Sequence, residues 1–199
     1  MAPRVVFFPG ASGAGEFWAP VADRMPDDWQ TRLLSWPGAG SQPHDPSVVG
    51  YDDLVVRAAA AVDEGSDVVA QSMGGVVAVG LALAHPRKLR RLVLVATSGG
   101  LEIDAFGAED WRKEYVSAFP EAASWVTEQR VDHGRELENI SVPTCLIWGD
   151  ADPISPVAVG RAVAAALPRS TLHVVAGGTH MMGRERPDEI ASLIIGHLS

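Results

Sequence analysis

Six short apolar runs punctuate the chain, at residues 5–8, 31–35, 67–71, 92–96, 144–148 and 171–175. Near-continuous apolar character, rather than strict alternation, is the pattern of strands covered on both faces, as in a parallel sheet. Stretches with helical spacing lie between them, at 16–25, 51–63, 75–84, 156–166 and 187–197. Pro86 ends the third of these, because it lacks an N–H and restricts His85 before it. The alternation predicts an α/β fold of about six parallel strands with helices on both faces, in three layers. Residues 98–141 break the rhythm. They hold no strand run, but they carry Phe106, Trp111, Tyr115, Phe119 and Trp125 among many charges. Trp111, Tyr115 and Ala118 or Phe119 fall at helical spacing, as do Ala122 and Trp125. The expectation is a small two-helix lid over the carboxyl ends of the strands, where open parallel sheets bind ligands.

Composition narrows the classes. The 199 residues are enough for one domain with a substantial core, so the expected organisation is a single domain over 1–199 with the insertion 98–141 inside it. No internal repeat or low-complexity linker divides the chain. The net charge of −9, with no basic run, argues against nucleic acid or an anionic membrane surface as a partner. No segment approaches the length of a membrane span, and Met1-Ala2-Pro3-Arg4-Val5 leads straight into a strand run. The expectation is a cytoplasmic protein. The single Cys145 excludes an internal disulfide and a cysteine metal cluster; it reads as a buried strand residue.

The chemistry is carried by the run Ala70-Gln71-Ser72-Met73-Gly74-Gly75, an apolar strand breaking into a small-residue helix start. Such a turn pushes the Ser72 hydroxyl above the end of the sheet and leaves the Met73 N–H free where a helix carries partial positive charge. A nucleophilic serine needs a histidine to take its proton and a carboxylate to orient that histidine. Asp152 follows the fifth apolar run and His180 the sixth, so all three leave the carboxyl ends of strands in one sheet. Asp150 remains open as the acid, and more distantly Glu102 or Asp104. Two N–H donors should face the developing oxyanion. Met73 offers one, and the loop Pro9-Gly10-Ala11-Ser12-Gly13 offers the other, with Ala11 the first candidate and Ser12 the second.

On these residues the chain resembles the α/β-hydrolase superfamily over nearly its whole length, specifically the small, short-lidded esterase and lyase-like kind. Pro9-Gly10 with Trp18 resembles the family's His-Gly loop and its following Trp. Ser35-Trp36-Pro37-Gly38-Ala39-Gly40-Ser41 resembles its Asp-x-Pro-Gly-x-Gly-x-Ser loop. Gly149-Asp150-Ala151-Asp152 resembles the acid loop, in which the third residue after Gly is the acid, and this favours Asp152 over Asp150. His180 with Glu185 and Pro187 resembles the histidine loop, and the order Ser, Asp, His is that of the scaffold. The chain departs from the pattern at Pro9, Ser35 and Ala70, which stand where the family has His, Asp and Gly. The resemblance also implies a trimmed sheet of six parallel strands, without the family's antiparallel start.

The residues and the resemblance together imply a serine hydrolase acting on a small-molecule carboxylic ester or thioester through an acyl-enzyme, with no cofactor and no metal. The acyl pocket is expected to be apolar and built by Trp18, Phe106, Trp111, Tyr115, Trp125 and Met181, together with Met73. Two alternatives share the scaffold. One is a cofactor-free lyase using the triad as a base, with Arg112, Lys113 or Arg130 holding a carboxylated substrate. The other is a small-molecule receptor.

Overall fold

The computed structural model describes residues 3–199. Its centre is one six-stranded sheet: β1 (Arg4–Phe8), β2 (Gln30–Leu33), β3 (Ser66–Gln71), β4 (Leu89–Val95), β5 (Thr144–Gly149) and β6 (Ser170–Val175). The spatial order is β2-β1-β3-β4-β5-β6, and every neighbouring pair is parallel. Each strand begins within three residues of the apolar run that announces it.

The strand period of two divides the sheet's side chains between two cores. Phe8, Val68, Ala70, Leu94 and Trp148 face one side, where α2 (Tyr51–Ala61), α3 (Met73–Ala84) and α6 (Val157–Ala166) pack through Leu54, Val77 and Val159. Phe7, Val69, Val93, Cys145 and Ile147 face the other, covered by α1 (Ala19–Ala22), α7 (Met182–Glu185) and α8 (Pro187–Leu198) through Val21, Met182 and Ile194. Burial on both faces is why β3 and β5 read as unbroken apolar runs.

The helix expected at 16–25 is instead a 3-10 turn, Gly15–Trp18, leading into the single turn of α1. Between β4 and β5 lie α4 (Arg112–Ala118) and the one-turn α5 (Trp125–Glu128), with 3-10 turns at Asp104–Phe106 and Leu137–Asn139. This segment is tied to the body by backbone bonds from Ala123 to Gly38 and from Glu109 to Pro153, and is closed on itself by one from His133 to Gly100. Among the described residues no helix is long and apolar enough to cross a membrane.

Candidate active site

Ser72 follows β3 directly and takes φ 52° and ψ −122°, a conformation that non-glycine residues seldom adopt. Such a backbone costs on the order of 1–3 kcal/mol and persists only where its surroundings hold it. Here the Ser72 N–H continues the ladder to the Val95 carbonyl at 3.0 Å. The Ser72 carbonyl accepts from the Gly75 N–H at 2.9 Å and from the Thr97 hydroxyl at 2.6 Å. The glycines after it are sterically required. A Cβ on Gly74 would lie 2.3 Å from the Pro9 carbonyl oxygen, and one on Gly75 2.5 Å from Thr97 Oγ1. Ala70, where the resembled pattern has glycine, is fully buried in the core on the side of α2, α3 and α6.

The three residues placed at strand ends by the sequence come together. His180 Nε2 lies 3.0 Å from Ser72 Oγ, and its Nδ1 lies 2.8 Å from Asp152 Oδ2. Asp152 is buried, and its second oxygen, Oδ1, accepts the N–H groups of Ile154 at 2.9 Å and Ser155 at 3.0 Å. With that carboxylate on Nδ1–H, Nε2 is the nitrogen left to accept a proton from Ser72. Asp150 is not in this chain of contacts. It is exposed, and its Oδ1 accepts the Gly177 N–H at 2.5 Å, bracing the loop that carries His180. That loop is also held by Gln71 Nε2, which donates to the His180 carbonyl at 3.3 Å, and by the Thr179 hydroxyl on Glu185 at 2.7 Å.

The loop after β1 runs beside the serine: a Cβ on Gly10 would stand 3.2 Å from Ser72 Cβ. Among the described residues neither the Ala11 nor the Met73 N–H has a protein acceptor. Ser35, standing where the family has Asp, accepts the Gly15 N–H on its hydroxyl at 3.1 Å.

Ser72 and His180 open into a cavity of about 500 Å³. Met73 and Trp111 line it; Trp18, Phe106, Tyr115, Trp125 and Met181 lie outside its lining. Trp18 is fully buried on the opposite face of the sheet, packed against Phe7 and Phe17, with its Nε1–H on the Phe8 carbonyl at 2.9 Å. Trp125 is buried in the core with its ring edge-on to Tyr51, and Tyr51 is the aromatic that reaches the cavity. Tyr115 is buried between Trp111 and Phe119 and spends its hydroxyl elsewhere. Phe106 packs against the core, and Met181 is largely exposed; neither lines the cavity.

Several lining residues escape a sequence reading. Leu101, Ile103 and Ile154 add apolar wall, and Ala96, itself at φ 46°, sits beside the serine. The cavity is also far more charged than an apolar acyl pocket would be, with Glu102, Asp104, Glu109 and Asp132 among its walls. Arg112 and Arg130 line it too, each bonded through Nη1, while Arg112 Nε is buried without a partner among the described residues. Arg112 pairs with Asp110 Oδ1 at 2.8 Å, and Arg130 donates to the Thr127 and Gln129 carbonyls. Burial pushes the Tyr51 phenol up to about 12, so it stays protonated. Among the described residues no cluster of three or more His, Cys, Asp or Glu could hold a metal ion.

The alpha/beta hydrolase family model matches residues 5–193. The chain belongs to that family. A relative from Pseudomonas putida, 2-hydroxy-6-oxononadienedioate/2-hydroxy-6-oxononatrienedioate hydrolase 2, is 24% identical over 96% of this chain and 84% of its own length. The pimeloyl-(acyl-carrier protein) methyl ester esterase of Chromobacterium violaceum is 24% identical over 98% of this chain and 94% of its own. Among solved structures, a thermophilic esterase from Thermogutta terrifontis superposes with a TM-score of 0.77 at 20% identity, covering 98% of this chain and 88% of that one. As a member of the alpha/beta hydrolase family, the protein is an enzyme of that type, and the six-stranded parallel sheet is the family's fold.

Proposed function

We propose that this alpha/beta hydrolase cleaves a small carboxylic ester or thioester through an acyl-enzyme on Ser72. The observation that carries the reading is the unbroken line from Ser72 Oγ to His180 Nε2 at 3.0 Å and from His180 Nδ1 to buried Asp152 at 2.8 Å. His180 takes the Ser72 proton as Oγ attacks the carbonyl carbon, then returns it to the leaving alcohol or thiol. The negative oxygen of the tetrahedral intermediate is held by the Ala11 and Met73 N–H groups, the latter at the start of α3. Water activated by His180 then releases the acid. Residues 98–141 act as the lid, and Trp111 is its aromatic contribution to substrate contact. The methyl ester esterase among the relatives supports ester chemistry.

The test is turnover of p-nitrophenyl acetate. The wild type should show a burst as the acyl-enzyme accumulates, and Ser72→Ala should lose about 10⁴-fold or more in kcat. A Ser72→Ala variant within about tenfold of wild type removes Ser72 as nucleophile and overturns the reading.

A further inference from the structure

Four successive carbonyls lead out of β1, and each has a donor. Trp18 Nε1–H donates to Phe8 at 2.9 Å, Trp36 Nε1–H to Pro9 at 2.8 Å, and the Gly13 N–H to Gly10 at 3.0 Å. The fourth donor comes from much farther along the chain: the Tyr115 hydroxyl, on α4, donates to the Ala11 carbonyl at 2.9 Å. The same oxygen accepts the Gly40 N–H at 2.7 Å. Gly40 in turn presses on the loop, since a Cβ there would lie 2.0 Å from the Ser12 carbonyl oxygen. One phenol therefore joins three segments: the loop beside Ser72, the loop around residues 36–41, and α4.

We propose that Tyr115 is a positioning residue that sets the oxyanion loop, its O–H···O=C bond to Ala11 holding the loop in the orientation catalysis needs. The proposal rests on the serine-hydrolase reading above. Holding the Ala11 carbonyl fixes the Ala11–Ser12 peptide, which is trans, so its N–H faces away from the phenol. It also anchors Ala11 itself, whose own N–H belongs to the preceding peptide. Among the described residues nothing else donates to the Ala11 carbonyl. Gly13, at φ 71°, closes the turn with its N–H on the Gly10 carbonyl, so of the four carbonyls only that of Ala11 takes its donor from α4. Tyr115 does not line the cavity, so its hydroxyl acts through the loop rather than on substrate. Burial raises its pKa above the ordinary tyrosine value, so the donated proton stays in place. Because the donor lies in the segment that covers the cavity, seating of α4 and setting of the oxyanion loop are a single event. Any displacement that withdraws the phenol releases Ala11.

The experiment compares wild type, Tyr115→Phe, Phe119→Leu and Ser72→Ala with p-nitrophenyl acetate as substrate and phenylboronic acid as inhibitor. The boronic acid forms a tetrahedral adduct on serine and reports the oxyanion site directly. Phe119→Leu disturbs the same aromatic packing but leaves the phenol hydroxyl intact. Tyr115→Phe should lower kcat by about ten- to a hundredfold and leave KM within about twofold, because an interaction serving only the charged intermediate is lost. Its phenylboronic acid Ki should rise by the same factor, and Phe119→Leu should change neither quantity by more than about threefold. Tyr115→Met, which fills the space without a hydroxyl, carries the same expectation if Tyr115→Phe does not fold. An inactive Ser72→Ala beside a Tyr115→Phe with unchanged kcat overturns this proposal and leaves the hydrolase reading intact. Equal losses in Tyr115→Phe and Phe119→Leu would make the role one of packing and also overturn it. An active Ser72→Ala overturns both.

Discussion

Replacing Asp152 by asparagine puts the orientation of His180 under test, because the surroundings of the carboxylate decide which way the new amide must face. Oδ1 accepts two backbone N–H groups, from Ile154 at 2.9 Å and Ser155 at 3.0 Å, and only an oxygen can take that place. The asparagine carbonyl oxygen must therefore occupy it, and the NH₂ group is left facing His180 Nδ1, where Oδ2 now stands at 2.8 Å. Nδ1 is then forced to accept, and the ring proton moves to Nε2, 3.0 Å from Ser72 Oγ, where it cannot receive the serine proton. The same tautomer inversion in serine proteases costs about 10⁴-fold in kcat. That factor is about 5 kcal/mol of transition-state stabilisation. Stability should hardly change, since both backbone bonds survive. Asp152→Ala, by contrast, strands the two N–H groups and should destabilise by roughly 2 kcal/mol or more. Steady-state ester hydrolysis and urea titration of Asp152→Asn, Asp152→Ala and Asp150→Asn measure both effects. An Asp152→Asn enzyme within about tenfold of wild type, or a larger loss in Asp150→Asn, would refute the reasoning.

Gly74→Ala should destabilise by about 1–3 kcal/mol and lower kcat, because overpacking there pushes α3 off the Pro9 backbone. A Cβ 2.3 Å from that carbonyl oxygen has only backbone to displace, so a stable and fully active variant in urea titration and turnover would contradict the contact. Trp111→Ala should alter the acyl-chain profile of kcat/KM across a p-nitrophenyl ester series. Trp125→Ala, buried in the core, should instead lower stability by about 3–5 kcal/mol and leave the profile's shape alone; exchanged outcomes would reverse the two assignments. His133 and His197 are both held below the ordinary histidine value, chiefly by burial. Below about pH 6.5 the unfolded chain therefore binds more protons at these two positions, and stability falls with pH until their folded-state values are passed. Urea midpoints at pH 8, 6 and 5 should fall less steeply in a His133→Gln, His197→Gln variant, and an unchanged slope would count against this origin.

Some of the fold and of the candidate site can be read along the chain. The strands are legible because a sheet buried on both faces demands unbroken apolar runs, and β3 and β5 supply them. The turn at Ser72 is legible from Gly74-Gly75 two and three residues on, which the crowding against Pro9 and Thr97 requires to be glycines. Ser72, Asp152 and His180 can be placed past the ends of strands because in a parallel sheet every carboxyl end lies on the same edge. The lapse in strand pattern over 98–141 falls where short helices and 3-10 turns lie between β4 and β5, and the helical spacing of Tyr115 and Ala118 falls in α4.

The tertiary structure decides what each of those side chains meets. Helical spacing groups Trp111 and Tyr115 on one stripe, but it does not say where the stripe points, since that angle is set by packing against other elements. The fold turns Trp111 to the cavity and Tyr115 into the core, and it puts Trp18 on the far side of the sheet. The same holds for hydrogen bonds. An unpaired loop carbonyl has to find a donor, but composition does not say which. Ala11 finds its donor on Tyr115, Pro9 on Trp36, and the acid loop's Ala151 N–H finds the Gly178 carbonyl at 3.0 Å. These partners lie far apart in the sequence, and only the folded chain brings them within hydrogen-bond reach.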